Sequence, residues 1–253
     1  MEISLAGKTV IVTGCSRGGI GYAIAKRFAA DGADLVVTAR NECKLAEAAS
    51  ELEKIGSGKV AYVAASLTDP ELPKQLRAAA DELGGADVLV NNAGVYPAAS
   101  LKDTTPELID EVMGCNFDGL VALCREFVPA MADKGGGSVV NITSISSRVP
   151  IPGMSLYAAS KAAVEAFSRC IAAEFAPKVR VNCVSAGPIM TEAAIQMAEN
   201  DTEGVTDTVT QGIPLERRGT PEEIAEAAHF LATARAGWTT GEVLQVNGGG
   251  LMA

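Results

Sequence analysis

The sequence predicts an α/β fold: a single domain over residues 1–253 in which a parallel, seven-stranded sheet is wound doubly, with helices on both faces. Three observations lead there. Seven short apolar runs alternate with longer helical patterns, as in successive strand–helix–strand units whose sheet is buried on both sides. The first run passes into a helix through a glycine-rich turn, Thr13-Gly14-Cys15-Ser16-Arg17-Gly18-Gly19-Ile20-Gly21. No internal repeat, low-complexity segment or linker marks a domain boundary, and 253 residues suffice for one large core.

Taken in order, TVIVT (9–13) is the first strand, and Ile20, Ala23, Ile24 and Phe28 then recur at helical spacing. The glycines therefore lie in a β-to-α turn. There, absent side chains and access to positive φ let backbone N–H groups and a helix N-terminus approach an anion. Alone, such a turn fits a tight loop packed under its helix equally well; its place after the first strand of a βαβ unit favours a dinucleotide phosphate cradle. DLVVTA (34–39) is the second strand, followed by a helix starting near Asn41 that Gly56 and Gly58 are expected to stop. KVAYVAA (59–65), DVLVNNAG (87–94), GSVVNITS (137–144), VRVNCVSAG (179–187) and EVLQVNGG (242–249) supply the other five strands. Thr220-Pro221-Glu222-Glu223 opens a helix with an N-cap, a first-turn proline and a capping-box glutamate. The segment 191–219, broken by Gly204, Gly212 and Gly219, is expected to form a substrate lid.

Composition narrows the partners. A net charge of −10 argues against a polyanion surface, so no nucleic acid is expected. No apolar run approaches the roughly 20 residues that span a bilayer, and no leader pattern opens the chain, so no membrane and a cytoplasmic location are expected. The six cysteines are scattered without metal-ligand spacing and read as reduced packing residues. His229 is the single histidine, so no His-rich metal site is expected and acid–base chemistry falls to another side chain.

In open parallel sheets ligands bind beyond the carboxyl ends of the strands, near the point where strand order reverses. Thr13-Gly14, Asn91-Asn92-Ala93-Gly94, Ser144 and Gly187-Pro188 end four strands and converge on one crevice. Tyr157-Ala158-Ala159-Ser160-Lys161 adds a pair four residues apart, stacked on one helix face. An ammonium beside a phenol favours phenolate and lowers its pKa, making tyrosine a usable acid. Ser144 can present its hydroxyl to the same substrate oxygen, and Asn116 faces the crevice if its helix packs against that of Tyr157.

In these motifs, and in Gly187-Pro188-Ile189-Met190-Thr191, the chain resembles the compact short-chain dehydrogenase/reductases over essentially its whole length. The ending Thr240-Gly241-Glu242-Val243-Leu244-Gln245-Val246-Asn247-Gly248-Gly249 is similar to the branch of 3-oxoacyl-[acyl-carrier-protein] reductases and many sugar, polyol and steroid dehydrogenases. The resemblance implies a Rossmann-type fold and hydride transfer between nicotinamide and a ketone or secondary alcohol. It makes Tyr157 the general acid/base, has Ser144 polarise the carbonyl, and has Lys161 lower the tyrosine pKa and hold the nicotinamide ribose. Asn116 would support a water-linked proton relay. The implied cofactor contacts are Gly14, Ser16, Arg17, Gly19, Ile20 and Gly21 in the turn; Asn92, Ala93 and Gly94 beside the adenosine; and Pro188, Ile189 and Thr191 beside the carboxamide. A homotetramer is implied, with the helices of Asn116 and Tyr157 and the last strand as interfaces.

The glycine turn is one residue longer than the family's usual Thr-Gly-x-x-x-Gly-x-Gly, if Gly19 and Gly21 take the later glycine roles. Where members often carry an aspartate after strand three, this chain has Ser66-Leu67, so a backbone contact from Leu67 is expected. Strand two ends Thr38-Ala39-Arg40. An acid there would bond the 2′-hydroxyl of NAD; Ala39 with Arg40 beside it, and Arg17 as a second cation, favour the 2′-phosphate of NADP(H). NAD(H) is the alternative, with Arg40 merely solvated at a strand end. An NAD-dependent sugar, polyol or steroid dehydrogenase stays open as a second reading, as do a dehydratase or epimerase relative and a non-catalytic cofactor-binding member. Tyr96, Ser146, Val149, Pro150, Met154, Pro188 and Met190 are candidate substrate-wall residues, each equally explicable as packing.

Overall fold

A computed structural model describes residues 4–199 and 212–251. Among them seven strands form one parallel sheet: β1 (Thr9–Thr13), β2 (Asp34–Ala39), β3 (Val60–Ala64), β4 (Val88–Asn91), β5 (Gly137–Ser144), β6 (Val179–Ala186) and β7 (Val243–Val246). Their spatial order is β3-β2-β1-β4-β5-β6-β7, so strand order reverses between β1 and β4. The eight α-helices described are α1 (Ile20–Ala30), α2 (Glu42–Leu52), α3 (Leu72–Asp81), α4 (Pro106–Met113), α5 (Gly119–Lys134), α6 (Ser155–Phe175), α7 (Glu192–Glu199) and α8 (Pro221–Ala232).

The continuous apolar character of β1 follows from burial on both faces. Val10 and Val12 point to one core, with Ile24 and Phe28 of α1, Leu45 and Leu52 of α2, and Ile224 and Leu231 of α8. Ile11 points the other way, to Leu76 of α3, Leu123 and Phe127 of α5, and Val164 and Ile171 of α6. Alternation of side chains along a strand thus feeds two cores, and each fully buried Leu, Ile or Phe contributes roughly 1.5–3 kcal/mol by leaving water. α8 begins with the expected capping box: Glu223 N–H bonds the Thr220 hydroxyl, and Thr220 N–H bonds the Glu223 carboxylate at 2.8 Å.

One expectation needs correction. α2 is capped by Asn41, whose side chain accepts from Lys44 N–H, but it ends at Leu52, short of Gly56 and Gly58. Those glycines serve close packing: a Cβ at Gly56 would collide with the Ala29 carbonyl, and one at Gly58 with that of Ala33. The 191–219 segment enters as a helix, α7, and leaves through Ile213 and the Ile189–Gly219 bridge; 200–211 lies outside the described residues. No helix among the described residues is long and apolar enough to cross a membrane.

Candidate active site

The carboxyl ends of the strands open on one cavity of about 1040 Å³. On its β1 side, Gly14 adopts φ +71° and turns the chain away from the sheet. Thr13 and Asn92 stitch this turn to β4: Thr13 Oγ1 accepts from Asn92 N–H (2.9 Å) and Ala93 N–H (3.0 Å), while Asn92 Nδ2 donates to Thr13 O (2.9 Å). The Asn92 amide is thus committed to the frame, and it is the backbone around Asn92, Ala93 and Gly94 that borders the cavity. Gly21 is absent from the wall and acts behind it: a Cβ there would strike Gly14 O and sit 2.5 Å from Asn92 Nδ2, so glycine lets α1 press against the turn. The other turn residues assigned to the cofactor, Ser16, Arg17, Gly19 and Ile20, all line the cavity. Gly19 is the N-cap of α1 and offers no capping side chain, leaving the helix's first-turn N–H groups at this cradle without a side-chain partner.

At the far end of β2 the cavity is bordered by Thr38, Ala39, Arg40 and Lys44, and at the end of β3 by Ser66 and Leu67. Arg17 does not stand free as a second cation: it pairs with Glu51 at 3.0 Å and Glu47 at 3.6 Å, both on α2. Tyr22 donates to the same Glu51 carboxylate at 2.6 Å. No motif signals Lys44, although a cap at Asn41 puts it in the first turn of α2, one turn from Arg40. Nor does any motif signal Thr38, whose Oγ1 is buried at this wall with no hydrogen-bond partner among the described residues.

On the β5 side, Ser144 ends the strand and caps a short 3₁₀ turn, Ile145–Ser147, accepting from Ser146 N–H at 3.2 Å. α6 lays Tyr157 and Lys161 along the facing wall. The Lys161 ammonium lies 5.7 Å from the centre of the Tyr157 ring and donates to Ile142 O at 3.0 Å. Burial pulls the Lys161 pKa down to about 8. Burial also raises the Tyr157 phenol above its ordinary value; the hydrogen bond with Ser144 opposes this and the neighbouring Tyr96 adds to it. The expected lowering of the phenol by Lys161 is therefore not met: desolvation dominates, and the force that does pull the phenol down comes from Ser144. Tyr96 packs edge-on against Tyr157, ring centres 6.2 Å apart.

Asn116 sits where α4 and α5 join through a π-helical turn, Gly114–Asp118, a form of helix distortion often found at functional sites. It is buried behind the cavity. Its Oδ1 accepts from Val95 N–H at 2.8 Å, and its Nδ2 donates to Val95 O at 2.8 Å and Ser160 Oγ at 3.0 Å. Gly94 keeps the passage open beside it, since a Cβ there would lie 3.1 Å from Asn116 Oδ1 and 3.5 Å from Lys161 Nζ. Pro188, Ile189 and Thr191 complete the β6 wall. Of the candidate substrate residues, Tyr96 and Met154 line the cavity. Ser146 does not: it is buried and bonded to Ser144 Oγ at 3.1 Å. Met190, Val149 and Pro150 are also absent from the wall.

A protein-family model described as enoyl-(acyl carrier protein) reductase matches residues 14–250. The 3-oxoacyl-[acyl-carrier-protein] reductase FabG of Chlamydia muridarum is 36% identical over 251 residues, covering 98% of this chain and 99% of that protein. The chain belongs to the short-chain dehydrogenase/reductase family. A human short-chain dehydrogenase/reductase, dehydrogenase/reductase SDR family member 4, is 37% identical over 97% of this chain and 88% of its own length. Among solved short-chain dehydrogenase/reductases, a 3-oxoacyl-(acyl-carrier-protein) reductase from Agrobacterium tumefaciens C58 with NADP bound superposes with a TM-score of 0.91. It is 31% identical and covers 98% of this chain and 95% of its own. As a short-chain dehydrogenase/reductase, the protein is an oxidoreductase acting between CH–OH and keto groups.

Proposed function

We propose that the protein is an NADP(H)-dependent oxidoreductase that interconverts a ketone and a secondary alcohol with Tyr157 as general acid/base. The observation that carries this reading is the meeting of Ser144, Tyr157 and Lys161 in the wall of one cavity that also holds an uncapped helix N-terminus and a glycine cradle. The residues fit a dinucleotide: the first-turn N–H groups of α1 suit a pyrophosphate, and the orphaned Thr38 hydroxyl lies at the adenosine end. When bound, the dinucleotide supplies or accepts the hydride.

The chain's own residues do the rest. Ser144 and Tyr157 present hydroxyls to the substrate oxygen, where they stabilise charge developing on it, and Tyr157 delivers or removes the proton at that atom. Lys161, charged below about pH 8, favours phenolate once substrate and cofactor exclude water, and reaches the ribose. Asn116 holds the Val95 backbone and Ser160 fixed beneath them, in position for a water-linked relay. Glycines at 14, 18 and 19, with Asn92, Ala93 and Gly94, border the phosphates and adenosine, while Pro188, Ile189 and Thr191 take the carboxamide side. Arg40 and Lys44, with no carboxylate on Ala39 to oppose them, favour the 2′-phosphate. Tyr96, Met154 and α7 flank the substrate, with 191–219 as its lid.

The assembly belongs to the same reading: exposed Phe230 on α8 and fully exposed Trp238 before β7 suit a homotetramer covering the last strand, measurable by light scattering. The test of function is consumption of NADPH, and separately NADH, by the purified protein with a panel of ketones. Turnover preferring NADPH is expected; no turnover with either coenzyme, or a preference for NADH, contradicts the reading.

A further inference from the structure

Glu165 is a carboxylate buried in the body of the protein, only 4% exposed, two helical turns beyond Tyr157 on the same face of α6. Acidic side chains are rarely buried unless something holds them there. Its Oε1 accepts from Thr143 Oγ1 at 3.2 Å and lies 2.7 Å from Ser147 Oγ. The same Ser147 hydroxyl lies 2.8 Å from the Ser144 carbonyl oxygen, so its one proton is shared between the carboxylate and the backbone of Ser144. Thr143 Oγ1 also reaches Val184 O at 3.4 Å. At the outer side, Arg148 Nε lies 3.9 Å from Oε2, a loose and partly solvated pairing that balances the charge.

Glu165 thus grips the chain on both sides of Ser144, one residue before it and three after. It does so from the helix that carries Tyr157 and Lys161. Beside that grip, the last residue of β5 is tied to α6 by the hydrogen bond between Ser144 and Tyr157, the very contact whose geometry the grip would hold. We propose that Glu165 is a positioning residue: through Thr143 and Ser147 it fixes the Ser144 hydroxyl in register with the Tyr157 phenol. Charge-assisted hydrogen bonds suit the task because they are short and directional, and misplacement of a reacting group by a fraction of an ångström is costly. The inference rests on the roles proposed above for Ser144 and Tyr157.

The experiment compares Glu165→Ala, Glu165→Gln and Ser147→Ala with the wild-type enzyme, reading kcat, KM for coenzyme and the pH dependence of kcat for alcohol oxidation. Because the Ser144 hydrogen bond pulls the phenol down, and alcohol oxidation needs the phenolate as base, loosening it moves the rising, low-pH limb of the profile to higher pH. Glu165→Ala is expected to lose about tenfold or more in kcat with KM for coenzyme unchanged, and to shift the limb upward. Glu165→Gln keeps an acceptor of the same shape and should recover most of the loss. Ser147→Ala should show the same shift in milder form.

A folded Glu165→Ala enzyme with unchanged kcat overturns the proposal, as does one with lower kcat and an unmoved limb, which marks a merely structural role. If Glu165→Ala does not fold, the decision passes to Ser147→Ala, where an unmoved limb overturns it. Failure here is distinct from failure of the functional reading, which shows instead as full activity in Tyr157→Phe.

Discussion

The two ends of the cavity are built from different materials. At the β5–α6 end, Ser144, Lys161, Asn116 and Glu165 are buried and joined by hydrogen bonds whose partners lie in the core. At the β2–α2 end the cavity is bordered by long cationic side chains on the surface, of which Arg17 is half exposed and shared between two glutamates. The first end is preorganised and each member depends on its neighbours; the second is a set of solvated charges that act nearly independently. Turnover should therefore be fragile and coenzyme choice malleable.

The sharpest way to break that contrast is at Ser144. Ser144→Ala removes a hydroxyl that faces the phenol, and kcat should fall by about 10²-fold or more with NADPH affinity intact. A small change in kcat would mean the buried end is less interdependent than its hydrogen bonds imply. Next in size is the double change Ala39→Asp with Arg40→Ile, which should reverse preference toward NADH by about tenfold or more, roughly 1.4 kcal/mol, while kcat stays close to wild type. Unchanged NADPH preference would place the phosphate contact elsewhere. Smaller still, Glu51→Gln loosens Arg17 from α2 and should tighten NADPH several-fold, below tenfold as for exposed pairs, with NADH unaffected. Equal tightening of both coenzymes would show that Arg17 serves the shared pyrophosphate.

Two pH effects refine the contrast. Lys161 has a folded value of about 8 against an ordinary 10.5, so between these values the unfolded chain binds more protons. The group's contribution to stability is then least favourable below pH 8 and improves as pH rises toward 10.5. In denaturation of cofactor-free protein, any stability advantage of Lys161→Met over wild type should shrink between about pH 7 and about pH 10. An advantage independent of pH would mean Lys161 is not desolvated. Glu223, held down to about 2 by the Arg217 fork and the Thr220 N–H, gives the smallest effect because it is exposed. Its contribution is present above its usual 4.5 and lost as pH falls toward 2, so Glu223→Gln should flatten the acid limb of thermal stability slightly.

Much of the site was legible in the sequence because it depends on local order. Apolar runs buried on both faces define the strands, their polar ends define the cavity, and a four-residue spacing on one helix brings Tyr157 beside Lys161. What was missed depends on approach between distant segments. Gly56 and Gly58 read as helix stops because their neighbours Ala29 and Ala33 are far away in the chain. Arg17 read as a free phosphate ligand because Glu47 and Glu51 join it only when α2 packs beside the turn. The direction of the Tyr157 shift needed the burial of its ring, and Ser146 read as a wall residue although its hydroxyl turns inward to Ser144. Glu165 carried no signal of its own: on a helix otherwise patterned for packing, an acid is noticed only when its partners are seen.

The claim that buried groups set turnover while the cradle and surface charges hold the coenzyme is tested most directly on Tyr157→Phe, by measuring NADPH affinity and ketone reduction on the same preparation. The account predicts an affinity within about threefold of wild type and a kcat lower by about 10²-fold or more. Retained turnover, or loss of binding and turnover together, would contradict it.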